Sequence, residues 1–440
     1  MNAGVGIAVV LGALGALVLG VKAAQSTGRI GAEGARKLVH LGMGCVCLTF
    51  PLLFGHNVWP VWSLVALAGG SLLALRKVPW LRTRLGGVLH DVKRESWGEL
   101  YFPAGVAVVF TLARGDALRF AIPVALLTFA DAAGALVGRR WGKHHYETLE
   151  GRKSIEGSVA VGVAGALCAW VPLTLAGVPV TTAVLIALVM GLFGMILEAI
   201  AWRGLDNMFL PLAAFAQVSI YLGLGDAQLL ARLGVLAAIT VAAWFWRRGT
   251  LVDDSARLGG ALALYFFWAV GDWTWLVPPL ILLTTYARWM PAVPGGTPRH
   301  NLVAIICVAS SGLVWALAQA MRPDLNWWWP FALGVAAQQV MIAAVRFSQK
   351  HPGWSRPRWW LAGVATTLLL QAAGVWLVPA SAGLRALDIV VGMVALSAGG
   401  ALFVFTEGNL QKPADLALRW WRQGGIGLLV SLSGLSLFLI

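Results

Sequence analysis

Apolar stretches about as long as a membrane-crossing helix recur along the whole chain, from residues 4–21 to 424–440, with only short polar segments between them. This recurrence constrains the fold more than any other feature. A helix needs about 20 predominantly apolar residues to cross the hydrocarbon core. In lipid, every backbone N–H and C=O must be satisfied internally, which a helix does within its own segment. Sixteen stretches qualify, several of them short, so the fold expected is all-α: a polytopic integral membrane protein with roughly 14–16 transmembrane helices. Composition agrees. Charged residues are 12% and hydrophobic residues 59% of the 440, with a mean hydropathy of +0.78, whereas a soluble domain carries about 25% charged residues. Soluble, secreted and disordered classes are excluded.

The net charge of +14 would suggest a nucleic-acid partner in a soluble chain. Here it has a simpler source, because membrane proteins keep Lys and Arg in cytoplasmic loops. If residues 22–37 face the cytoplasm, 28 of the 33 Lys and Arg fall in cytoplasmic segments. The reading is a multi-pass protein of the cell inner membrane, lying in a lipid bilayer with its N-terminus outside and no nucleic-acid partner. Met1 to Gly4 carries no positive charge, so the first stretch reads as a retained span, not a signal peptide. Cys45, Cys47, Cys168 and Cys307 lie in apolar stretches without a CxxC pair, which argues against disulfides and zinc. The basic segment 247–257 is the best internal boundary. It separates 1–246, with nearly all the unusual polar chemistry, from 247–440, a second membrane domain whose role, accessory or other, the sequence leaves open.

Ionisable groups inside spans are expensive and mark functional sites by default. Asp131 is the clearest, with Gly134 and Gly138 following on the same helix face. Such a face lets a ligand or a neighbouring backbone come close. The densest polar stretch is 143–158. Its Gly151, Arg152, Lys153, Ser154, Gly157 and Ser158 offer cations, hydroxyls and backbone N–H groups to phosphate oxygens. Glu156 could hold a metal ion or orient a substrate hydroxyl. Farther on come Glu198 and then Asp206-Asn207, which are oxygen ligands suited to Mg²⁺ or an ordinary helix cap. Arg36, Lys37 and His40 form one more cluster, and Glu95 belongs to another. The charge-derived topology puts all of these on the cytoplasmic side. Carboxylates and cations gathered at one face suit a metal–polyphosphate ligand, a nucleoside triphosphate.

These motifs resemble the polyprenol kinase family, which includes phytol and dolichol kinases and is related to the CDP-diacylglycerol synthases. The matching pieces are RKLVHLGMG (36–44), ESWGELYFP (95–103), DAAGALVGRRWGKH (131–144), EGRKSIEGSVA (150–160) and Glu198 with LDNMFLP (205–211), covering about residues 30–225. The resemblance implies phosphoryl transfer from CTP to the hydroxyl of a membrane-embedded isoprenoid or other long-chain lipid alcohol, with 1–246 as a phytol/dolichol kinase-like catalytic domain. It implies Mg²⁺ (or Mn²⁺) held by Asp131, Asp206 and Asn207. Arg36, Lys37 and the 151–158 loop would bind the nucleotide, and Lys153 would neutralise charge on the transferred group. Glu156 or His40 would accept the alcohol's proton. Two rivals stay open: a cytidylyltransferase making a CDP-activated lipid, and a membrane transporter. Oligomeric state is not legible.

Overall fold

The computed structural model describes residues 2–77, 97–148, 151–200, 203–245, 254–289, 300–381, 383–412 and 416–438. The chain divides into two compact units, Met1–Thr240 and Val241–Ile440. The expected boundary, 247–257, lies partly outside the described residues. Among those described, eight helices are long and apolar enough to cross a membrane, and three shorter apolar helices accompany them. Many side chains on their outer faces are bare hydrocarbon. Leu52 and Leu175 are 84% exposed, and Leu369 and Leu377 are 72% exposed. A soluble monomer does not present apolar surface on this scale. The chain is an all-α multi-pass membrane protein.

In the first unit, α1 (Ala3–Ser26) and α2 (Ala32–Leu48) are followed by a short α3 (Phe50–Phe54) and α4 (Trp59–Lys77). The apolar run 38–54 is therefore not one helix. Pro51, in the first turn of α3, has no N–H to continue the ladder from α2. Next come α5 (Gly98–Ala113) and α6 (Ala117–Trp141). Asp116 caps α6 by accepting from the Arg119 N–H at 2.9 Å. One turn of α6, Leu126–Ala130, is π-helical and ends immediately before Asp131. A two-stranded antiparallel hairpin, β1 (His145–Thr148) and β2 (Gly151–Ser154), leads into α7 (Ile155–Leu175). The unit closes with α8 (Val180–Ala199), α9 (Asp206–Tyr221) and α10 (Asp226–Phe245).

The second unit comprises α11 (Asp254–Val270), α12 (Val277–Trp289), α13 (Leu302–Met321), α14 (Trp328–Lys350), α15 (Arg356–Leu377), α16 (Ala386–Thr406) and α17 (Leu416–Leu432). Helix α14 is its axis, and every residue from Trp328 to Met341 is buried. A helix that is apolar all round is surrounded by others. Its two buried amides are used as ties. Gln338 Nε2 donates to the Gln423 carbonyl at 3.0 Å, and Gln371 Nε2 donates to Gln339 Oε1 at 2.6 Å. Helix α17 starts earlier than the apolar stretch 424–440 suggests. Arg419 can be buried in it because Glu407 meets its guanidinium at 3.3 Å.

Candidate active site in the first unit

Three residues spaced i, i+3 and i+7 lie on one face of α2: Lys37, His40 and Gly44. That face packs on the π-helical turn of α6. Lys37 Nζ donates to Asp131 Oδ2 at 2.5 Å, and both side chains are largely buried, at 11% and 22% exposure. The π-turn rearranges the backbone carbonyls just ahead of Asp131, and side chains take them up. Thr128 Oγ1 donates to the Val124 carbonyl at 2.6 Å, and His40 Nε2 lies 3.0 Å from the Leu127 carbonyl. Such single π-turns are frequent at functional sites. His40 also packs edge-on against Phe102 at 4.9 Å and lies 3.9 Å from Asp131 Oδ2. Gly44 makes the approach possible, since a Cβ there would come within 2.6 Å of Thr128 Cβ. The Arg36 charge acts on both Asp131 and His40.

Below Asp131, α6 crosses α7 on glycine. A Cβ on Gly138 would meet Ser154 Oγ at 3.0 Å, and one on Gly157 would meet the Gly134 carbonyl at 3.0 Å and Gly138 Cα at 3.2 Å. The glycine face after Asp131 therefore admits a neighbouring backbone. Small residues at a membrane helix crossing allow this close approach. Ser154 sits at the crossing as the N-cap of α7, its Oγ accepting from the Gly157 N–H at 3.1 Å.

The residue before that cap begins a second charged cluster. Lys153 Nζ donates to Glu198 Oε1 at 2.8 Å and also to the Glu198 carbonyl oxygen. Burial works against the Lys153 ammonium, but the Glu198 carboxylate, with Asp206 and Tyr146 adding to it, outweighs burial and holds its pKa above the ordinary lysine value. Lys153 thus stays cationic throughout the neutral range. Glu198 ends α8 and Asp206 begins α9, so the hairpin docks on the junction of two spans. In that junction Arg203 has φ 51 and Gly204 has φ 79. Asn207 Nδ2 donates to the Gly98 carbonyl at 3.2 Å and ties α9 to the start of α5.

Glu156 occupies a third position. Its carboxylate accepts from the Lys143 N–H at 3.0 Å and the His144 N–H at 3.2 Å, and pairs with His144 Nδ1 at 2.7 Å. It fastens the end of α6 to the start of α7. Tyr146 Oη and Ser158 Oγ, 2.6 Å apart, make a parallel tie. Gly151 has φ 116, a backbone that favours glycine, and Gly151 and Arg152 are exposed. The structure thus brings Arg36, Lys37 and His40 to Asp131, and Lys153 to Glu198 and Asp206. It places Glu156 with His144 instead. Glu95 lies outside the described residues. Sequence reasoning did not single out His144, Tyr146 or the π-turn. A histidine twelve residues before an acid in a polar loop is a faint signal, and the turn's Leu-Leu-Thr-Phe-Ala has none.

The ligand set proposed for a metal can be weighed on its chemistry. Among the described residues, no three His, Cys, Asp or Glu side chains gather into a metal-holding group. A Mg²⁺ ion carried in with a polyphosphate does not need one, because one or two carboxylates, waters and phosphate oxygens complete its shell. Asp131, Asp206 and the Asn207 amide oxygen are donors of that kind.

Two curated proteins align with part of the chain. The phytol kinase of Synechocystis sp. is 31% identical over 218 residues, 48% of this chain and 90% of that protein. A CTP-dependent diacylglycerol kinase of Schizosaccharomyces pombe is 26% identical over 140 residues, 30% of this chain and 63% of that protein. No family model matches the chain, and no solved structure matches it. On identity sustained across nearly the whole of the cyanobacterial protein, the chain belongs to the polyprenol kinase family of membrane lipid kinases.

Proposed function

We propose that the first unit transfers the terminal phosphoryl group of CTP to the hydroxyl of a membrane-embedded isoprenoid or other long-chain lipid alcohol. One observation carries this reading. Two largely buried cation–carboxylate pairs, Lys37–Asp131 and Lys153–Glu198, flank the glycine crossing of α6 and α7 in a chain that is similar to a phytol kinase. Phosphoryl transfer needs little covalent help from the protein. It needs positioning and positive charge where the transferred group gathers negative charge. Lys153, kept cationic by Glu198, supplies such a charge. Arg152, exposed next to it, is the second cation of the hairpin. Arg36 and Lys37 add positive charge at the Asp131 end. The name of the yeast relative favours CTP as donor.

Mg²⁺, when bound with the nucleotide, would neutralise charge on the phosphates, and Asp131, Asp206 and Asn207 are the residues we assign to hold it. Glu156 is already engaged by the Lys143 and His144 N–H groups and the His144 ring, so we give it a positioning role. His40 is then our choice to accept the alcohol's proton. With Nε2 donating to the Leu127 carbonyl, Nδ1 is the atom able to take it. The charge distribution of the loops supports a cytoplasmic active site and an outer N-terminus. The lipid chain would stay among the helices while its hydroxyl reaches that face. In this reading 1–246 is the catalytic domain and 247–440 an accessory one.

The test is a transfer assay with purified full-length protein, Mg²⁺ and γ-³²P-CTP or γ-³²P-ATP. Phytol, geranylgeraniol, a polyprenol and diacylglycerol are offered separately. Label entering an isoprenoid alcohol, preferentially from CTP, is the expected result. Transfer confined to diacylglycerol would move the acceptor class, and no transfer from either nucleotide to any acceptor would refute the reading.

A further inference from the structure

The second unit holds a half-buried cation for which the described residues provide no carboxylate. Arg346 lies near the end of α14. Its guanidinium carbon is 5.7 Å from the centroid of the Tyr286 ring, and Nη1 donates to Gln349 Oε1 at 3.3 Å. Other arginines of the unit are answered. Arg322, Arg385, Arg419 and Arg422 each face a carboxylate, and Arg356 donates to three backbone carbonyls. A cation near a helix C-terminus suits the helix dipole. The dipole does not explain what surrounds this one.

A row of three aromatic residues from different parts of the unit begins at Arg346. The Tyr286 ring of α12 lies 5.6 Å from the His300 ring, and His300 lies 5.2 Å edge-on from Trp420 of α17. Tyr286 Oη and His300 Nδ1 are both buried without a hydrogen-bond partner among the described residues. Buried polar atoms are almost always paired, and the Arg346 guanidinium is the charge that acts on both of these. Burial first, then the Arg346 charge, holds the His300 imidazole down at about 4. At neutral pH His300 is therefore an uncharged ring able to give one N–H. The polar character continues inward along the same face of α14. Gln339, seven residues earlier and roughly 10 Å deeper along the helix, hydrogen-bonds Gln371 and reaches Thr285, the neighbour of Tyr286.

A guanidinium, a phenol and a neutral imidazole can donate together to one group that is anionic and rich in acceptor oxygens. A phosphate monoester has that chemistry, with three terminal oxygens and a strong preference for arginine. We propose that Arg346, Tyr286 and His300 form a phosphate-monoester binding site in the second unit, with Trp420 as its aromatic wall. The site stands at the end of a membrane span, where the phosphate of a single-chain lipid would lie. It does not depend on the kinase reading of the first unit.

The test uses full-length protein in detergent, carrying Lys153→Gln throughout so that phosphate held by the first unit contributes little. Hexadecyl phosphate and inorganic phosphate are titrated separately by calorimetry. Arg346→Gln is expected to weaken hexadecyl phosphate binding at least tenfold, and Tyr286→Phe severalfold. Arg346→Lys, which keeps the charge but loses the bidentate fork, is expected to fall between Arg346→Gln and the parent. The ligand-free Tm should stay close to the parent's. The same losses with inorganic phosphate would mean that the phosphate group suffices; losses with the alkyl phosphate alone would identify a lipid source. If Arg346→Gln does not fold, Tyr286→Phe and Arg346→Lys carry the test. Parental affinity in the folded variants, or no binding of either probe, would overturn the proposal.

Discussion

In the first unit two ion pairs join distant stretches of chain beside one helix crossing, Lys37 with Asp131 and Lys153 with Glu198. In the second unit the axis helix α14 is tied by neutral amides, Gln338 to the Gln423 backbone and Gln339 to Gln371. Both solutions satisfy buried polar groups, yet they differ greatly in cost. Amides hold membrane helices together for about 0.6 kcal/mol each on average. A buried ion pair carries desolvation penalties of several kcal/mol per ion, which a well-packed apolar replacement avoids. Charges are therefore a poor choice where adhesion alone is needed. The second unit also buries one such pair, Arg419 with Glu407, so buried charge alone does not mark a reaction site; what sets the first unit apart is two pairs beside one glycine crossing.

The sharpest way to break this contrast is at Asp131. Asp131→Ala leaves Lys37 buried without its partner, a loss of about 3–5 kcal/mol for such pairs, and removes a proposed metal ligand. Turnover should fall at least about a hundredfold, measured by ³²P transfer, with a lowered Tm. Restoring the Tm with Lys37→Met in the same chain should not restore turnover. Recovery of activity in that double variant would make the pair merely structural.

Lys153→Met should cost nearly as much turnover, roughly a hundredfold, with a smaller fall in Tm. The pH profile adds an independent check. The folded pKa of Lys153 is raised, so the stability it lends is full below the unfolded value of about 10.4 and is lost only as pH rises through the higher folded value. Lys153 should contribute no descending limb between pH 6 and 9. A limb in that range that disappears in Lys153→Met would contradict the assignment.

Gly157→Val probes the crossing itself. The added side chain meets the Gly134 carbonyl and Gly138 Cα, and overpacking of this kind costs about 1–3 kcal/mol. Both Tm and turnover should fall, because the two ion pairs lose their common support. The smallest effect is expected in the second unit. Gln371→Leu removes the bond to Gln339 and should lower stability by about 1 kcal/mol while turnover stays within twofold. A large loss of turnover there would mean that 247–440 takes part in the reaction.

Much of the first unit was legible in its residues because lipid punishes misplaced charge. The apolar runs announce helices, and the placement of Lys and Arg grouped Lys37, Asp131, Lys153 and Glu198 before any contact was known. Two kinds of detail were hidden. The π-helical turn at 126–130 is written in ordinary apolar residues, and its effect on the Val124 and Leu127 carbonyls exists only in three dimensions. The task of Glu156 was hidden for another reason. A carboxylate in a polar loop can hold a metal, a proton or a backbone, and the contacts of Glu156 with the Lys143 and His144 N–H groups are visible only in three dimensions. Gly134 and Gly138 were compatible with a ligand or a neighbouring helix, and the answer lay in Gly157, on a different helix.

The central claim is that the first unit moves a phosphoryl group to a lipid alcohol and leaves the nucleoside diphosphate behind. The most direct measurement follows two labels in parallel, CTP carrying ³²P at the γ position and CTP carrying it at the α position, each incubated with the protein and Mg²⁺ and, separately, with phytol and with phytyl phosphate. The account predicts γ label in the lipid, α label recovered as CDP, and neither change with Asp131→Ala. Appearance of α label in the lipid fraction would contradict it and identify a transfer of the cytidylyl group instead.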